Sequence, residues 1–179
     1  MKTEEIEIIE EEHKATSDEK IKWFGYGEWV EEIDFLTFKY KNYECLILRN
    51  MIEEPYAKEL YMSGGHLCGY VNIPKEHKYH GKHYDDIEID CHGSLTFFDT
   101  DKYDKYWIGF DCAHSTDYCP SIELFKKNCE EIKKFIEKFP FPKVFEKLAL
   151  FNPTYKNINF CIEECKSIVD QLIGKQGEF

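Results

Sequence analysis

The sequence lacks the features that identify several common protein classes. Its 179 residues contain no apolar run approaching the roughly 18 residues of a membrane-spanning helix. The N-terminus is acidic, whereas that of a signal peptide is basic. No GxGxxG or GxxxxGK[ST] loop occurs, so no motif supports a Rossmann or P-loop nucleotide site. These absences predict a cytoplasmic protein with no membrane partner.

Positive charge is also scarce, and Arg49 is the only arginine. The net charge is −12, and residues 1–34 carry twelve acidic side chains against four lysines, a net −8. Such a field repels phosphate backbones and disfavours direct nucleic-acid binding, but it suits docking on a basic protein surface. We therefore predict a partner-binding segment with these acidic residues: Glu4, Glu5, Glu7, Glu10, Glu11 and Glu12.

The eight cysteines include no CxxC pair. Because several lie where an apolar residue would serve, we predict reduced thiols in the core rather than disulfides. A hydrophobic content of 42% and an aromatic content of 16% suffice for a packed interior. We predict one domain over residues 1–179, with an acidic segment at 1–34, a β-rich region at 35–119 and a helical region at 120–175.

Two strand patterns are clear in the first half of the chain. Residues 33–49 predict a hairpin, because two β-rich runs flank Lys41-Asn42, where asparagine tolerates the positive φ of a tight turn. Leu67 to Ile73 predicts a strand that ends at Pro74. A helical turn is predicted after Pro55. The acidic N-terminal segment is ambiguous between an edge strand, a short helix and a frayed arm.

A second hairpin is predicted from the alternation in "DIEIDCHGSLTFF", the turn "DTDKYDK" and the run "YWIGFDCAH". Burying the apolar face sets Leu95 beside Ile108 and Phe97 beside Tyr106, with Cys91 across from Cys112. The same register places His92 opposite Asp111 on the polar face, where it either forms half of a site or closes the hairpin through a polar network.

The last third of the chain has helical periodicity. One helix is predicted from Ser121 to residue 139, a shorter one at 143–151, and a final one from about Asn157 that ends at Gly174. Cys161 and Cys165 lie one turn apart on its predicted buried stripe. Strands followed by helices predict an α+β fold, an antiparallel sheet built from hairpins with the C-terminal helices packed on one face.

Histidine and aspartate residues are concentrated between residues 66 and 117. Both residue types are ligands of zinc and other divalent ions. We predict a site for a divalent metal such as zinc, or for another ligand, from these residues: His80, His83, Asp86, Asp90, His92, Asp111, His114 and Asp117. The alternative is a structural polar network with loop histidines in water. Weaker alternatives are a nucleophile among Cys91, Cys112 and Cys119 and an acid/base pair at Asp85-Asp86.

The stretches "GYVNIPKEHKYHGKHYDDIEIDCHGSLTFF" and "WIGFDCAHSTD" resemble a family of small uncharacterised bacteriophage and prophage proteins. That family has blocks like GYV-x-(I/V)-P, G-K-x-YDD, HGGLT and GFDCAH-x-x-D. The similarity covers Gly69 to Asp117, and Ser94 stands where the family has the second glycine of HGG. The resemblance implies an accessory phage protein acting in the host cytoplasm, of the kind that inhibits bacterial defence.

These observations leave two functional hypotheses. The leading one is a non-enzymatic, anti-CRISPR-like inhibitor whose acidic segment docks on the basic groove of a bacterial defence protein or nucleoprotein complex. The alternative is a metal-dependent hydrolase, or a protein that binds a signalling nucleotide, with its site in the hairpin rich in histidine and aspartate. A purely structural or interaction protein is the third possibility.

Overall fold

The computed structural model describes residues 5–51, 64–121 and 153–176. Three helical predictions lie outside these residues: the turn after Pro55, the helix that follows Ser121 and the helix at 143–151. Glu4 and Cys129 lie outside them as well.

The described residues form a six-stranded antiparallel sheet and two α-helices, which confirms the α+β prediction. The strand order is β1-β2-β3-β4-β6-β5, so β1 and β5 form the two edges of the sheet. The elements in chain order are β1 Glu7–Glu12, α1 Ser17–Phe24, β2 Phe35–Tyr40, β3 Tyr43–Arg49, β4 Leu67–Ile73, β5 Phe97–Thr100, β6 Tyr106–Asp111 and α2 Ile158–Gln176.

The first hairpin is confirmed, and its turn is the predicted one. β2 and β3 pair directly from Phe35–Leu48 to Tyr40–Tyr43. Lys41 and Asn42 connect them with φ angles of 47° and 67°. Two successive positive φ values give the turn a twist that matches the flanking strands. The strand Leu67–Ile73 also has the predicted bounds.

The ambiguous N-terminal segment forms an edge strand and a helix. β1 pairs with β2, with an irregularity in register between Ile8 and Glu10. α1 begins after Thr16, whose hydroxyl accepts a hydrogen bond from the backbone of Glu19 while the Glu19 carboxylate accepts one from the Thr16 backbone. This reciprocal capping box explains why the acidic run changes from strand to helix at this point.

The second hairpin exists, but its predicted register is wrong by three residues. Phe97 lies opposite Gly109 and Phe98 opposite Ile108, and both phenylalanines are partly exposed. The strand is also shorter than predicted, because the chain is irregular before Phe97. Gly93 and Ser94 have left-handed φ angles of 66° and 76°, which no strand accommodates.

The alternation that suggested a longer strand has a different cause. Ile87 and Ile89 are buried, whereas Asp86, Glu88 and Asp90 are exposed. The backbone of this segment bonds to helix side chains instead of a neighbouring strand: Asp90 N–H donates to Gln171 Oε1 at 2.8 Å. The Gln171 amide donates to the Asp90 carbonyl at 2.7 Å. The alternation of apolar and polar residues in this part of the sequence therefore belongs to an irregular segment packed beside α2.

α2 packs on the sheet through the predicted apolar stripe and contacts β3 and β4. Its five buried residues are Cys161, Cys165, Ile168, Val169 and Leu172. Gly69 of β4 leaves room for the Phe110 ring and the Cys165 sulfur, since a Cβ there would lie 2.4 Å from the ring and 3.1 Å from the sulfur. α2 continues through Gly174 to Gln176, so the predicted end at Gly174 is wrong.

A buried ionic network joins the N-terminal segment to the sheet and to α2. Asp34 Oδ1 accepts hydrogen bonds from Arg49 Nε at 2.6 Å and from Lys20 Nζ at 2.9 Å, and all three side chains are fully buried. Glu32 accepts from Arg49 at 2.9 Å and from the backbone N–H of Ile158 at 2.9 Å. The network thus places the only arginine, Lys20 and two of the N-terminal acids in the interior. The remaining acids of that segment give it its surface charge.

The seven described cysteines are free thiols, as predicted. Of the helices in the described ranges, none combines the length and apolar character needed to cross a bilayer.

Candidate metal site

His92, His114 and Asp117 converge at the end of the sheet beside the start of α2. His92 Nε2 donates to Asp117 Oδ2 at 2.8 Å, and His114 Nδ1 donates to the same oxygen at 3.2 Å. The backbone N–H of His114 is a third donor to it, at 2.9 Å. One carboxylate oxygen therefore holds two imidazoles in place.

Asp117 is fixed by main-chain hydrogen bonds to the segment before α2. Thr154 N–H donates to the Thr116 carbonyl at 3.2 Å, and Tyr118 N–H donates to the Thr154 carbonyl at 3.0 Å. Asp117 N–H donates to the His114 carbonyl at 2.9 Å, which closes a turn. The spacing of "HSTD" thereby brings the His114 ring and the Asp117 carboxylate together.

His92 is held from the other side by α2. Its backbone N–H donates to Glu164 Oε2 at 2.9 Å, and its ring packs edge to face on Phe160 with centroids 5.2 Å apart. The ring of His114 lies 5.1 Å from that of His92. The irregular segment around Gly93 is therefore what carries His92 to the cluster.

The Asp117 carboxylate is wholly buried, whereas the side chains of His92 and His114 are 16% and 28% exposed. Burial raises the pKa of Asp117, but the hydrogen bonds from His92 and His114 outweigh it and hold that pKa below its usual value. The carboxylate is therefore ionised at neutral pH. Its second oxygen, Oδ1, is buried and has no hydrogen-bond partner among the described residues.

These three residues could hold a metal ion. Their ligand atoms all lie within 4.8 Å of one another. Ligands bound at about 2.0–2.1 Å to a tetrahedral zinc lie roughly 3.3 Å apart, close to the 2.8 and 3.2 Å that separate the imidazole nitrogens from Asp117 Oδ2. Since these nitrogens donate protons to Oδ2 in the metal-free arrangement, the ion would take the place of both protons. The orphaned Oδ1 fits the same interpretation, since a buried carboxylate oxygen without a partner is costly unless a cation or water satisfies it.

The other five predicted ligands lie apart from this group. Asp111 accepts from the Thr96 hydroxyl at 2.9 Å, so the predicted pairing of His92 with Asp111 is wrong and Asp117 takes that place. The displaced register explains the error, because it shifts His92 past the end of the strand. The remaining four are His80 beside Tyr106, His83 beside Phe98, Asp86 on an open cleft and Asp90 next to Gln171.

His66 is a buried histidine that interacts electrostatically with Asp117 and His114 of this cluster. Burial lowers its pKa, and Asp111 and Asp117 partly oppose that effect. The Asn50 amide lies 3.4 Å from Nε2, and Nδ1 is buried without a hydrogen-bond partner in the described structure. The ring is therefore neutral at neutral pH.

The thiols do not fit the nucleophile hypothesis. Burial raises the pKa of Cys91 to about 12 and that of Cys119 to about 11. The neighbouring Cys161 thiol, 3.8 Å away, and burial raise the pKa of Cys112 as well. Because the thiolate is the reactive form, these protonated and largely buried sulfurs are inert. Asp85 and Asp86 are exposed and lie on an open cleft with Lys82 and Glu88.

Five of the six predicted partner-binding acids are among the described residues and lie on β1 or just before it. All six residues of β1 are exposed, including Glu7, Glu10, Glu11 and Glu12, and Glu5 is exposed as well. Ile8 and Ile9 are exposed among them. This edge of the sheet is thus acidic with two apolar side chains.

Sequence reasoning missed the residues that α2 and the segment before it bring to the site, which are Lys156, Phe160 and Glu164. They lie at least 39 positions from Asp117, and the helical period identified only the buried face of α2. Gly93 was missed too, although glycine after a candidate ligand is a signal for close approach.

Comparison with family models, with curated proteins and with solved structures found no match for this chain.

Proposed function

We propose that this protein is a metal-dependent hydrolase that binds one zinc ion through His92, His114 and Asp117. The observation that carries the proposal is the convergence of two imidazoles on a buried carboxylate whose second oxygen has no hydrogen-bond partner among the described residues. Two histidines and one carboxylate form a catalytic zinc set in several hydrolases, where three protein ligands leave one position open.

The residues of the site have separate roles. Both imidazoles are partly exposed, so the open side of the group faces solvent, while Asp117 is buried behind them. Glu164 fixes the backbone of His92, and the turn from His114 to Asp117 fixes the carboxylate. A divalent ion held there would supply Lewis-acid chemistry and make water more acidic.

Elemental analysis of protein prepared without a histidine tag tests the proposal. We expect one zinc per chain in the wild type and its loss in His92→Ala, His114→Ala and Asp117→Asn, with circular dichroism unchanged. The matched control is His83→Ala, an exposed histidine outside the group, which should keep its zinc. Because the same ligand set also suits non-haem iron(II), iron in place of zinc would contradict hydrolysis in favour of oxygen chemistry. A wild type that takes up no metal would overturn the site.

We infer a second function from the other end of the sheet, namely inhibition of a bacterial defence complex by docking on its basic groove. The specific observation is that β1 is an edge strand with every residue exposed, four of them glutamates. Charge of this density speeds association with a basic surface. The outer edge of β1, which pairs with no other strand among the described residues, offers backbone donors and acceptors to a partner.

A pull-down with a CRISPR effector or similar nucleoprotein tests the second function. Reversing Glu7, Glu10, Glu11 and Glu12 to lysine should abolish binding. The control reverses four exposed acids away from β1, which are Asp85, Asp86, Glu88 and Asp99, and should leave most of the binding intact. Equal loss in both variants would show that only overall charge matters, and no loss in either would reject docking through β1.

A further inference from the structure

Lys156 brings a positive charge to the rim of the candidate metal site. Its Nζ lies 3.9 Å from Asp117 Oδ1 and donates to the Thr154 hydroxyl at 2.6 Å. The ammonium also lies over the Phe160 ring, 5.1 Å from its centroid. The side chain is 18% exposed, so the ammonium stands between the buried carboxylate and solvent.

The position of Lys156 does not satisfy Asp117 by hydrogen bonding. A distance of 3.9 Å exceeds the roughly 2.7–3.2 Å of an N–H···O bond, and Oδ1 is left without a partner among the described residues. An ammonium has three donors, of which Thr154 accepts one and the aromatic face attracts the charge. Among the described residues, Lys156 therefore retains donor capacity beside the carboxylate of the metal group.

We propose that this site takes a substrate with a phosphoryl group, and that Lys156 binds a phosphoryl oxygen. The inference rests on the proposed metal site. A divalent ion with two neutral imidazoles and one carboxylate leaves a net charge of about +1; the ammonium adds one, and the nearby Glu164 carboxylate subtracts one. A negatively charged phosphoryl group suits this positive charge and can accept a hydrogen bond from the ammonium, whereas a neutral amide would gain little from the lysine.

The corresponding reaction is hydrolysis of a phosphate ester. A bond forms between the water oxygen and phosphorus, the ester P–O bond breaks, and the leaving oxygen takes up one proton from water. No electrons are transferred, so the reaction needs no oxidant or reductant. The simpler role for Lys156 is as a counter-ion that secures Asp117 to the segment before α2, and this role predicts no effect on phosphate binding at constant metal content.

The test is titration of the zinc-loaded, full-length protein with inorganic phosphate, followed by calorimetry, with zinc content measured in every sample. We expect Lys156→Gln to keep its zinc and to weaken phosphate binding by about 10- to 100-fold, the usual effect of one charged hydrogen bond. Lys156→Arg, which keeps the charge, should bind within a few-fold of wild type. The control Lys166→Gln removes a lysine of α2 that pairs with Glu163, and should not change phosphate binding.

The outcomes separate this inference from the proposal on which it depends. Zinc retained with phosphate affinity unchanged in Lys156→Gln overturns the role of Lys156 and leaves the metal site standing. A wild type without metal overturns both. If Lys156→Gln does not fold, acetylation of lysines in the zinc-loaded wild type decides: phosphate should protect Lys156 and not Lys166, as read by mass spectrometry, and equal labelling with and without phosphate rejects the inference.

Discussion

The ring of His114 occupies the space where any side chain on Gly93 would lie. A Cβ built on Gly93 would be 2.0 Å from both Cε1 and Nε2 of that ring. Gly93 also has a φ of +66°, a conformation that glycine adopts without cost. The two residues belong to separate segments, so this single glycine lets the His92 loop and the His114 turn approach each other closely enough to share Asp117.

Gly93→Ala should therefore displace His114 and weaken metal binding without removing a ligand. We expect at least a 10-fold loss of zinc affinity, measured by competition with a chelator, together with a stability loss of about 1–2 kcal/mol from the left-handed backbone. Gly81→Ala is the matched control: its φ is +75°, but nothing lies within 4 Å of the added Cβ. It should lose only the stability that the left-handed backbone costs, less than Gly93→Ala loses, and keep its zinc affinity. Equal affinity in both variants would contradict the steric argument.

The sequence predicted those parts of the structure that depend on local chemistry. The Lys41-Asn42 turn, the strand before Pro74 and the apolar stripe of α2 each follow from turn preference or period, and each is confirmed. His92, His114 and Asp117 were among the predicted ligands because of their residue types and their places on the polar face and at the end of the second hairpin.

The predictions that were wrong concern contacts between residues that are distant in the sequence. The alternation at Ile87 and Ile89 matched a strand, yet the backbone there bonds to Gln171 and Glu164 of α2, some 80 and 70 residues away. The buried ion network is another example, since no local pattern reveals that Glu32 reaches both Arg49 and the first turn of α2. Such partners are set by tertiary packing and leave no periodic signal.

Ser94 carries backbone strain that glycine would relieve. Its φ is +76°, which costs a residue with a Cβ about 1–2 kcal/mol. Ser94→Gly should therefore raise the free energy of unfolding by up to about 1 kcal/mol after the greater flexibility of glycine in the unfolded chain is deducted. The measurement is urea unfolding, with Ser94→Ala as the control that keeps the backbone strain. An equal gain in unfolding free energy in Ser94→Ala and Ser94→Gly would contradict the strain argument.

Asp34 is the shared acceptor of two buried cations, so Asp34→Asn should destabilise the fold severely. The change leaves Lys20 and Arg49 fully buried without their common counter-charge, and breaking a buried ion pair in this way costs about 3–5 kcal/mol. We expect a large drop in the urea midpoint. Asp104→Asn removes the partner of Lys75 in an exposed pair and should hardly move that midpoint. Comparable effects of the two changes would show that the internal network is not important for stability.

His66 should make the protein less stable as the pH falls. Burial lowers its pKa in the folded state, so below the unfolded value of about 6.5 the unfolded chain binds the proton more readily than the folded one. This contribution to stability is therefore complete above about pH 6.5, decreases as the pH falls below it, and levels off below the folded pKa. In metal-free protein, the loss of unfolding free energy between pH 7 and pH 5 should be smaller in His66→Gln than in wild type. His13→Gln changes an exposed histidine and is the control variant. A wild-type pH profile in His66→Gln would mean that burial of this ring does not disfavour its charge.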